Sequence, residues 1–360
     1  TNWSVHGRDG STINVSLDLG RITAQDKSTP ICELELELLE GRPAALFNLA
    51  QQIALTMAVL PSNMSKAERG YALAQDLLDI PLRAQPPKLT DGMSVPEAAG
   101  RVLREMFCQF IGNLNALRVS DDPEVVHQAR VGWRRFKSAL RLFKPGLADR
   151  SPLSWQALEV LLTLLGQLRD LDVARVDTLP PVEDAYTAGD SGRAQAWQAM
   201  VRALADATQL QRKAVRYALH EPAVGANLLD ATRWLEEVCV EKATGDAGVD
   251  IQPSLRRWSR RRITRLQRQL NAARSDPDNP VSQHRVRILA KRLRYSIEAL
   301  HGFIPKHRAK HLSRQATALQ VGLGATRDAQ KSATLLAELA VDRGLVDFLR
   351  GVAVGQQRSG

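Results

Sequence analysis

HQARVGWRRFKSALRLFKP at residues 127–145 and HRVRILAKRLRYSIEALHGFIP at residues 284–305 are two versions of one segment. Each begins with a histidine and has a basic residue three, seven and ten positions later. The two sets are His127, Arg130, Arg134 and Lys137, and His284, Arg287, Lys291 and Arg294. Because these offsets fall on one stripe of an α-helix, the sequence predicts the same histidine-headed basic face twice. A cationic face that is built twice favours a polyanion as the partner.

The repeat extends beyond these two segments. Each is preceded by an N-cap residue and a proline, Asp122-Pro123 and Asn279-Pro280, which is a typical helix start. Further on, LGQLRDLD at 165–172 and LGATRDAQ at 323–330 keep nearly the same distance from the two histidines. Upstream, Arg101 and Arg104 correspond to Arg257 and Arg260 at an offset of about 156 residues. A period of this length predicts a duplicated unit of several helices rather than a solenoid.

The opposite side of each basic helix carries an apolar seam with heptad-like spacing. Its members are Ala129, Gly132, Phe136, Leu140 and Phe143 in the first copy, and Val286, Leu289, Leu293, Ile297 and Leu300 in the second. Such a seam is expected to pack on neighbouring helices, with about 1.5–3 kcal/mol of stabilisation for each large side chain that is buried. The basic stripe is then left to face solvent or a cleft.

Length and charge locate the basic site in the second part of the chain. The 360 residues are 44% hydrophobic, which allows two or three domains with packed cores. Residues 1–99 contain 8 Lys and Arg against 12 Asp and Glu, a balance of −4, within a net charge of +10 for the whole chain. The remainder therefore carries +14, and we expect the polyanion to bind there.

Cysteine use and hydropathy predict the compartment. Cys32, Cys108 and Cys239 form no CxxC pair, which indicates buried thiols in a reducing environment. The sequence has no secretory signal peptide and no run of about 18 apolar residues. We therefore expect a soluble cytoplasmic protein without membrane insertion.

The first forty residues have a different pattern from the rest. Apolar and polar residues alternate over 13–19 and again over 33–38, which predicts strands with one polar face, and Asp9-Gly10 suits a hairpin turn before them. A helix is expected over 43–60. Proline and glycine mark 84–96 as a linker. After Val95 the pattern is helical, with breaks at 145–152, 177–192, 244–253 and 274–280, which predicts about seven to nine helices in antiparallel bundles.

The duplicated H-x-x-R-x-x-x-[RK]-R block and the paired LG-x-x-RD segments resemble the CHAD domain, the conserved histidine α-helical domain. The similarity covers roughly residues 95–350. It implies a mainly α fold, in which two pseudo-symmetric antiparallel helical bundles surround a basic groove. It also implies binding of inorganic polyphosphate, with association of some members with polyphosphate or polyhydroxyalkanoate granules. We assign 97–350 to this domain, with repeat 1 at about 97–220 and repeat 2 at about 253–350.

The segment before the linker, residues 1–83, resembles the C-terminal part of a CYTH domain, a triphosphate tunnel fold. The resemblance rests on DGSTINVSLDLGRI, ICELELELLEG and SKAERGY. It implies a small β-rich remnant of a barrel and, for a complete tunnel only, a triphosphatase that uses Mg²⁺ or Mn²⁺. The ExExK strand that supplies the metal ligands of that family does not occur in this sequence, and a closed barrel needs all its strands. Glu33, Glu35 and Glu37 are weak candidates for a metal, and no catalytic residue is assigned.

Arginine and lysine suit phosphate because guanidinium groups bind two oxygens at once and stay charged. The predicted polyphosphate-binding residues are His127, Arg130, Arg134, Arg135, Lys137, Arg141, Arg169, His284, Arg287, Lys291, Arg292, Arg294, Arg327, Arg101, Arg104, Arg257 and Arg260. Binding itself is expected to need no cofactor.

Each of these assignments has a structural alternative. The stripes could be solvated helix faces with scattered salt bridges. Asp170 and Asp328 are expected to be structural, and each could orient an arginine. Arg169 and Arg327 could serve either structure or binding. The two histidines stand in first turns among cations, so the imidazolium should be disfavoured until a polyanion binds. They could also be neutral residues that cap or pack locally.

Three functions are consistent with the sequence. The first is polyphosphate binding without catalysis, with granule association as a further expectation. The second is an inorganic triphosphatase that works through the CYTH part. The third is nucleic-acid binding, which the 5% aromatic content disfavours because single-strand binders stack bases on aromatic rings. Trp133, Trp258 and Tyr295 lie near the basic segments and keep this third function open.

Overall fold

The chain begins with a three-stranded antiparallel sheet and continues almost entirely as helices. The computed structural model describes residues 1–147, 153–240, 254–274, 279–322 and 325–358. The strands are β1 (Asn2–His6), β2 (Thr12–Ala24) and β3 (Lys27–Glu40), in the order β1-β2-β3. The register pairs Ile13 with Leu38 and Val15 with Leu36, so the apolar positions of the sequence pattern share one face. Helix α1 (Pro43–Ala54) covers that face, and Ala45 joins Ile13 and Val15 in a small core.

The remaining helices follow α1. They are α2 (Lys66–Ala74), α3 (Val95–Leu117), α4 (Pro123–Phe143), α5 (Glu159–Val173), α6 (Glu183–Thr187), α7 (Ser191–Leu219), α8 (Pro222–Val240), α9 (Leu255–Ala273), α10 (Pro280–Ala299), α11 (Lys306–Gly322), α12 (Ala325–Glu338) and α13 (Arg343–Arg358). Eleven of them come after residue 94 within the described ranges, so the expected seven to nine was too low. The sequence pattern did not reveal the boundary between α7 and α8, because α8 begins at a proline only three residues after α7 ends.

The duplicated helices begin as their sequences predict. The side chain of Asp122 accepts a hydrogen bond from the backbone nitrogen of Glu124 at 2.8 Å, and Asn279 accepts one from Val281 at 2.9 Å. In both helices proline is the first residue. Because both helices start with the same cap and proline, the histidine and the basic residues lie at the same positions relative to the helix start in each copy.

Two helical hairpins, α3–α4 and α9–α10, form the duplicated centre. All five seam residues of the second copy are buried. In the first copy Leu140 is half-buried and the other four are buried. The hairpins meet where α4 packs on α10, and one continuous core contains residues of both. A second core joins α7, α12 and α13. This arrangement confirms the mainly α fold with two related helical halves.

The N-terminal unit is docked on the helical part through α1 and α8. Gln51 donates to the carbonyl oxygen of Ala226 at 3.0 Å, and Arg233 donates to Asn48 at 2.9 Å. Asn113 exchanges two hydrogen bonds with the backbone of Leu82, just before the predicted linker, and within the linker the carbonyl oxygen of Gln85 accepts from Arg135 at 3.3 Å. The helix that follows begins at Val95, with Ser94 and Glu97 forming a capping box.

The cysteine prediction is correct for two residues and wrong for one. Cys108 and Cys239 are partly buried free thiols, and burial raises the pKa of both. Cys32 is exposed. It lies on the same face of the sheet as Leu36 and Leu38 but beyond the small core, paired with Leu19 of β2, which is also exposed.

Gly132 allows α3 and α4 to approach closely, which yields a test of the fold. A Cβ at this position would lie 2.9 Å from the backbone nitrogen of Phe110, and backbone cannot yield as a flexible side chain can. Gly132→Val should therefore reduce the free energy of unfolding by about 1–3 kcal/mol, as measured by urea denaturation. Gly351→Ala on α13, where a Cβ meets nothing within 4 Å, is the matched control and should leave stability equal or slightly higher. Equal effects of the two changes would contradict this packing.

Candidate functional site

The two basic stripes converge where α4 meets α10. Burial, and then the charge of Arg134 on α4, lower the pKa of Lys291 on α10 to about 8. Burial and the charge of Arg327 lower the pKa of Arg287, and Arg134 acts on it as well. Cations from the two halves are therefore close enough to repel one another. We call this group the central basic cluster; it consists of His127, Arg130, Arg134, Arg169, Arg287, Lys291, Arg294 and Arg327.

Helix α5 shapes the first half of the cluster. A Cβ on Gly166 would lie 3.1 Å from Nη1 of Arg130, so the glycine of the Leu-Gly pair leaves room for this guanidinium. Burial is the main cause that lowers the pKa of Arg130, followed by the charge of Arg134. The Nε atom of Arg130 is buried and has no hydrogen-bond partner among the described residues. The corresponding Gly324 lies outside the described residues.

The two histidines are not equivalent. His127 is half-buried; burial, and then the charge of Arg169, lower the pKa of its imidazole. His284 is exposed. The unprotonated state expected from the cationic surroundings therefore applies to His127, with burial as the larger cause. A role for either histidine in binding stays a prediction.

Few carboxylates offset the central basic cluster. Asp170 on α5 pairs with Lys331 on α12 at 2.5 Å, so this acid links the two halves rather than orienting an arginine. Arg169 donates to Asp177 at 3.3 Å. Asp328 lies near Arg287 and Lys331, and burial raises the pKa of its carboxyl group. The cluster retains an excess of positive charge.

Several predicted binding residues lie elsewhere. Arg135 belongs to the core: its side chain is 1% exposed and binds Glu298 of α10 at 2.6 Å and the side chain of Gln109. It joins the two hairpins and is not available at the surface. Lys137 is exposed, with its Nζ atom 5.7 Å from the ring centre of Trp133.

The arginines of α3 and α9 are not among the groups that interact in the central basic cluster. Arg104 pairs with Glu236 of α8 at 2.7 Å, and Arg101 donates weakly to the carbonyl oxygen of Lys88 at 3.4 Å. Arg257 and Arg260 are exposed on α9. Arg141 and Arg292 line a separate cavity, described below. Polyphosphate contacts of these residues stay a prediction.

Lys331 is the residue of this region that the sequence comparison missed. In the register of the two Leu-Gly segments, the position 158 residues earlier is Val173, so the repeat carries no matching cation. The buried pair of Asp172 and Arg212, 3.7 Å apart, was missed for the same reason, because Asp172 corresponds to Gln330 in the second copy. Burial raises the pKa of Asp172, and the pair contributes to packing beneath the cluster.

Aromatic rings near the basic segments are occupied by packing. Trp133 and Tyr295 are buried, and Trp258 stacks on Phe143 with ring centres 5.1 Å apart. Bases of a single-stranded nucleic acid need exposed ring faces on which to stack. These three residues do not provide such faces.

The glutamates of β3 interact with cations of α2. Glu33 pairs with Arg69, and Glu35 shares Lys66 with Asp18, whose oxygen lies 2.5 Å from Nζ. Glu37 is exposed on the same strand. Within the described residues, no group of three or more histidine, cysteine or acidic side chains is arranged to hold a metal ion.

In the described part of the chain, none of the helices combines the length and apolar character needed to cross a bilayer.

Comparison with protein-family models finds the CHAD domain over residues 101–337. The chain belongs to the CHAD family. The crystal structure of the CHAD domain from the plant Ricinus communis is similar, with 30% identity and a TM-score of 0.65. The match covers 78% of this chain and 92% of the plant domain. The matched family region includes the central basic cluster in full.

A second relative is an inorganic triphosphatase from Haemophilus influenzae. It is 37% identical over 73 residues, which is 20% of this chain and 20% of the relative. The chain therefore matches about a fifth of the length of that enzyme.

Lys291 provides a pH-dependent test of the cluster. In the folded protein it loses its proton at about pH 8, whereas the ordinary value is 10.5. Below about pH 8 the lysine is charged in both states, and the folded state bears the full cost of burying that charge. Between about pH 8 and 10.5 the unfolded state binds more protons than the folded state, so the free energy of unfolding rises with pH. Lys291→Met should therefore raise the melting temperature at neutral pH in phosphate-free buffer, and the gain should shrink above about pH 8.

Thermal unfolding followed by circular dichroism at a series of pH values measures this effect. Lys213→Met, at an exposed position on α7, is the matched control and should change little. A loss of stability in Lys291→Met, or a gain that is independent of pH, would show that the lysine is not destabilised by its neighbours.

Proposed function

We propose that this CHAD domain binds inorganic polyphosphate in the central basic cluster. The observation that carries the proposal is the convergence of Arg134 on α4 with Arg287 and Lys291 on α10, where burial, and then these neighbouring cations, lower the pKa of Lys291 to about 8. A protein that held polyphosphate would also be carried to polyphosphate granules, and we extend the proposal to that localisation.

The energetics favour an anion with closely spaced charges. In the absence of a ligand the cluster contains mutually repelling cations that are partly removed from water. A chain of phosphates would offset that repulsion at several points at once, and each guanidinium can bind two phosphate oxygens. Release of counterions from the polyanion should make the affinity fall steeply as salt increases.

Polyphosphate is favoured over nucleic acid because the aromatic rings near the stripes are packed in the protein. Single-strand binding without sequence preference combines a basic groove with exposed stacking platforms. Competition between long-chain polyphosphate and single-stranded DNA at physiological salt separates the two, and polyphosphate should displace DNA. DNA that resisted displacement would support nucleic-acid binding instead.

The convergence predicts that both halves contribute to binding. Arg130→Ala with Arg134→Ala, and Arg287→Ala with Lys291→Ala, should each weaken polyphosphate binding by roughly tenfold or more, because each pair removes two charge-assisted contacts. Isothermal titration calorimetry with a defined long polyphosphate measures the change.

The matched control is Arg202→Ala with Lys213→Ala, which removes the same formal charge from exposed positions on α7. It should leave the affinity within about twofold, apart from general screening effects. Full affinity in either cluster variant, or an equal loss in the control, would contradict a site shared by the two halves.

A second candidate function is metal-dependent hydrolysis of triphosphate by a complete tunnel, of which the N-terminal unit would form one part. It is favoured by the similarity to the inorganic triphosphatase and by the acidic and basic residues that β2, β3 and α2 place together. Phosphate release from tripolyphosphate that requires Mg²⁺ or Mn²⁺, and that is lost in Glu33→Gln with Glu35→Gln, would establish it. Release that persists in this double variant, or its absence from the parent protein, would reject it.

A further inference from the structure

A cavity of about 200 Å³ lies between α4, α9 and α10, apart from the central basic cluster. Four arginines line it: Arg141 from α4, Arg262 and Arg265 from α9, and Arg292 from α10. Ser138 and Ser296 add hydroxyl groups to the wall. None of the described residues that line the cavity is a carboxylate.

At the pseudo-symmetric counterpart of this cavity, the arginine has an acidic partner. The repeat offset of 157 residues relates Arg292 to Arg135. Arg135 is buried against Glu298, 2.6 Å away, and binds the side chain of Gln109. A carboxylate and an amide oxygen from the neighbouring helices therefore bind both Nη atoms of this guanidinium, while its Nε atom has no hydrogen-bond partner among the described residues.

Both partners are replaced by arginines at the cavity. The same offset relates Glu298 to Arg141, and the offset of 156 residues between α3 and α9 relates Gln109 to Arg265. Arg292 therefore faces two cations where Arg135 faces an acid and an amide oxygen. Its Nε atom is buried and has no hydrogen-bond partner among the described residues.

The pKa shifts of the cavity arginines agree with the replacement of Glu298 and Gln109 by arginines at the related positions. Burial, and then the charge of Arg141, lower the pKa of Arg292. Burial, and then Arg265, lower the pKa of Arg262, whose Nη2 atom donates to the carbonyl oxygen of Leu142 at 2.9 Å. Arg141 and Arg265 are exposed, whereas Arg262 and Arg292 are partly buried. Partly buried positive charge with an unfilled donor, as at Nε of Arg292, is costly unless an acceptor enters.

We propose that this cavity is a second anion site, which binds a compact phosphate group of orthophosphate or pyrophosphate size. An oxygen of the anion takes the role that the carboxylate of Glu298 has toward Arg135 in the counterpart. The site does not depend on polyphosphate binding in the central basic cluster, because different cations act at the two places. Arg141 acts on Arg292 in the cavity. In the cluster, the cations that act on Lys291 are Arg134, Arg287, Arg327 and Arg294.

Pyrophosphate is the probe for the first test. Calorimetry at constant ionic strength should show binding to the whole chain, and Arg292→Gln should weaken it by roughly tenfold or more. Arg268→Gln, at an exposed position on the same helix α9 but outside the cavity lining, should bind as the parent does. Binding should persist in Arg130→Ala with Arg134→Ala. Loss in that cluster variant with full binding in Arg292→Gln would overturn the proposal.

The second test builds the counterpart into the cavity. Arg141→Glu with Arg265→Gln gives Arg292 the acid and the amide that Arg135 has. This double variant should melt at a higher temperature than the parent without ligand, and pyrophosphate should no longer raise its melting temperature. A lower melting temperature combined with an unchanged response to pyrophosphate would show that the cavity arginines need no anion. Orthophosphate in a parallel titration shows whether one phosphate group is sufficient, and an absence of response to both anions in the parent would reject the site.

Discussion

The packing of α4 on α10 determines most of what is distinctive in this molecule. The apolar seams of the two helices are buried in one core, and this burial holds two strongly basic helices at a distance where their charges repel. Burial, and then that repulsion, lower the pKa of Lys291 to about 8. Hydrophobic burial therefore supplies the free energy that keeps the cations together, and the proposed anion would meet a site whose shape is already fixed.

One ion pair supports this contact from within. Arg135 is nearly inaccessible to solvent and reaches from α4 to Glu298 on α10. Breaking such a buried pair leaves an uncompensated charge, which is far more costly than losing a surface salt bridge. Asp170 and Lys331 form a more exposed link between α5 and α12. The two halves are thus joined by an apolar seam, a buried ion pair and a peripheral one.

The sequence predicted what the two halves share. Caps at Asp122 and Asn279, the two seams and the histidine-headed stripes were all visible as matched spacing, and the helices form as that spacing requires. It could not predict where the halves differ, because a difference has no second copy to support it. Arg135 was predicted to bind polyphosphate because it lies next to the first basic stripe in the sequence. In the structure its side chain is buried and pairs with Glu298 of the other half. Lys331 was missed for the same reason, and Arg141 and Arg292, although predicted to bind phosphate, gave no sign that they line a separate cavity.

The exchange of Glu298 for Arg141 at related positions has a consequence for assembly. Two identical chains paired about a two-fold axis would have to present the same residue at both positions, so both contacts would be Arg–Glu or both would be Arg–Arg. A symmetric homodimer could therefore not combine one neutralised, stabilising junction with one charged cavity. Joining both halves in a single polypeptide removes that restriction, and the covalent connection is what permits one interface to serve structure at one end and to accept an anion at the other.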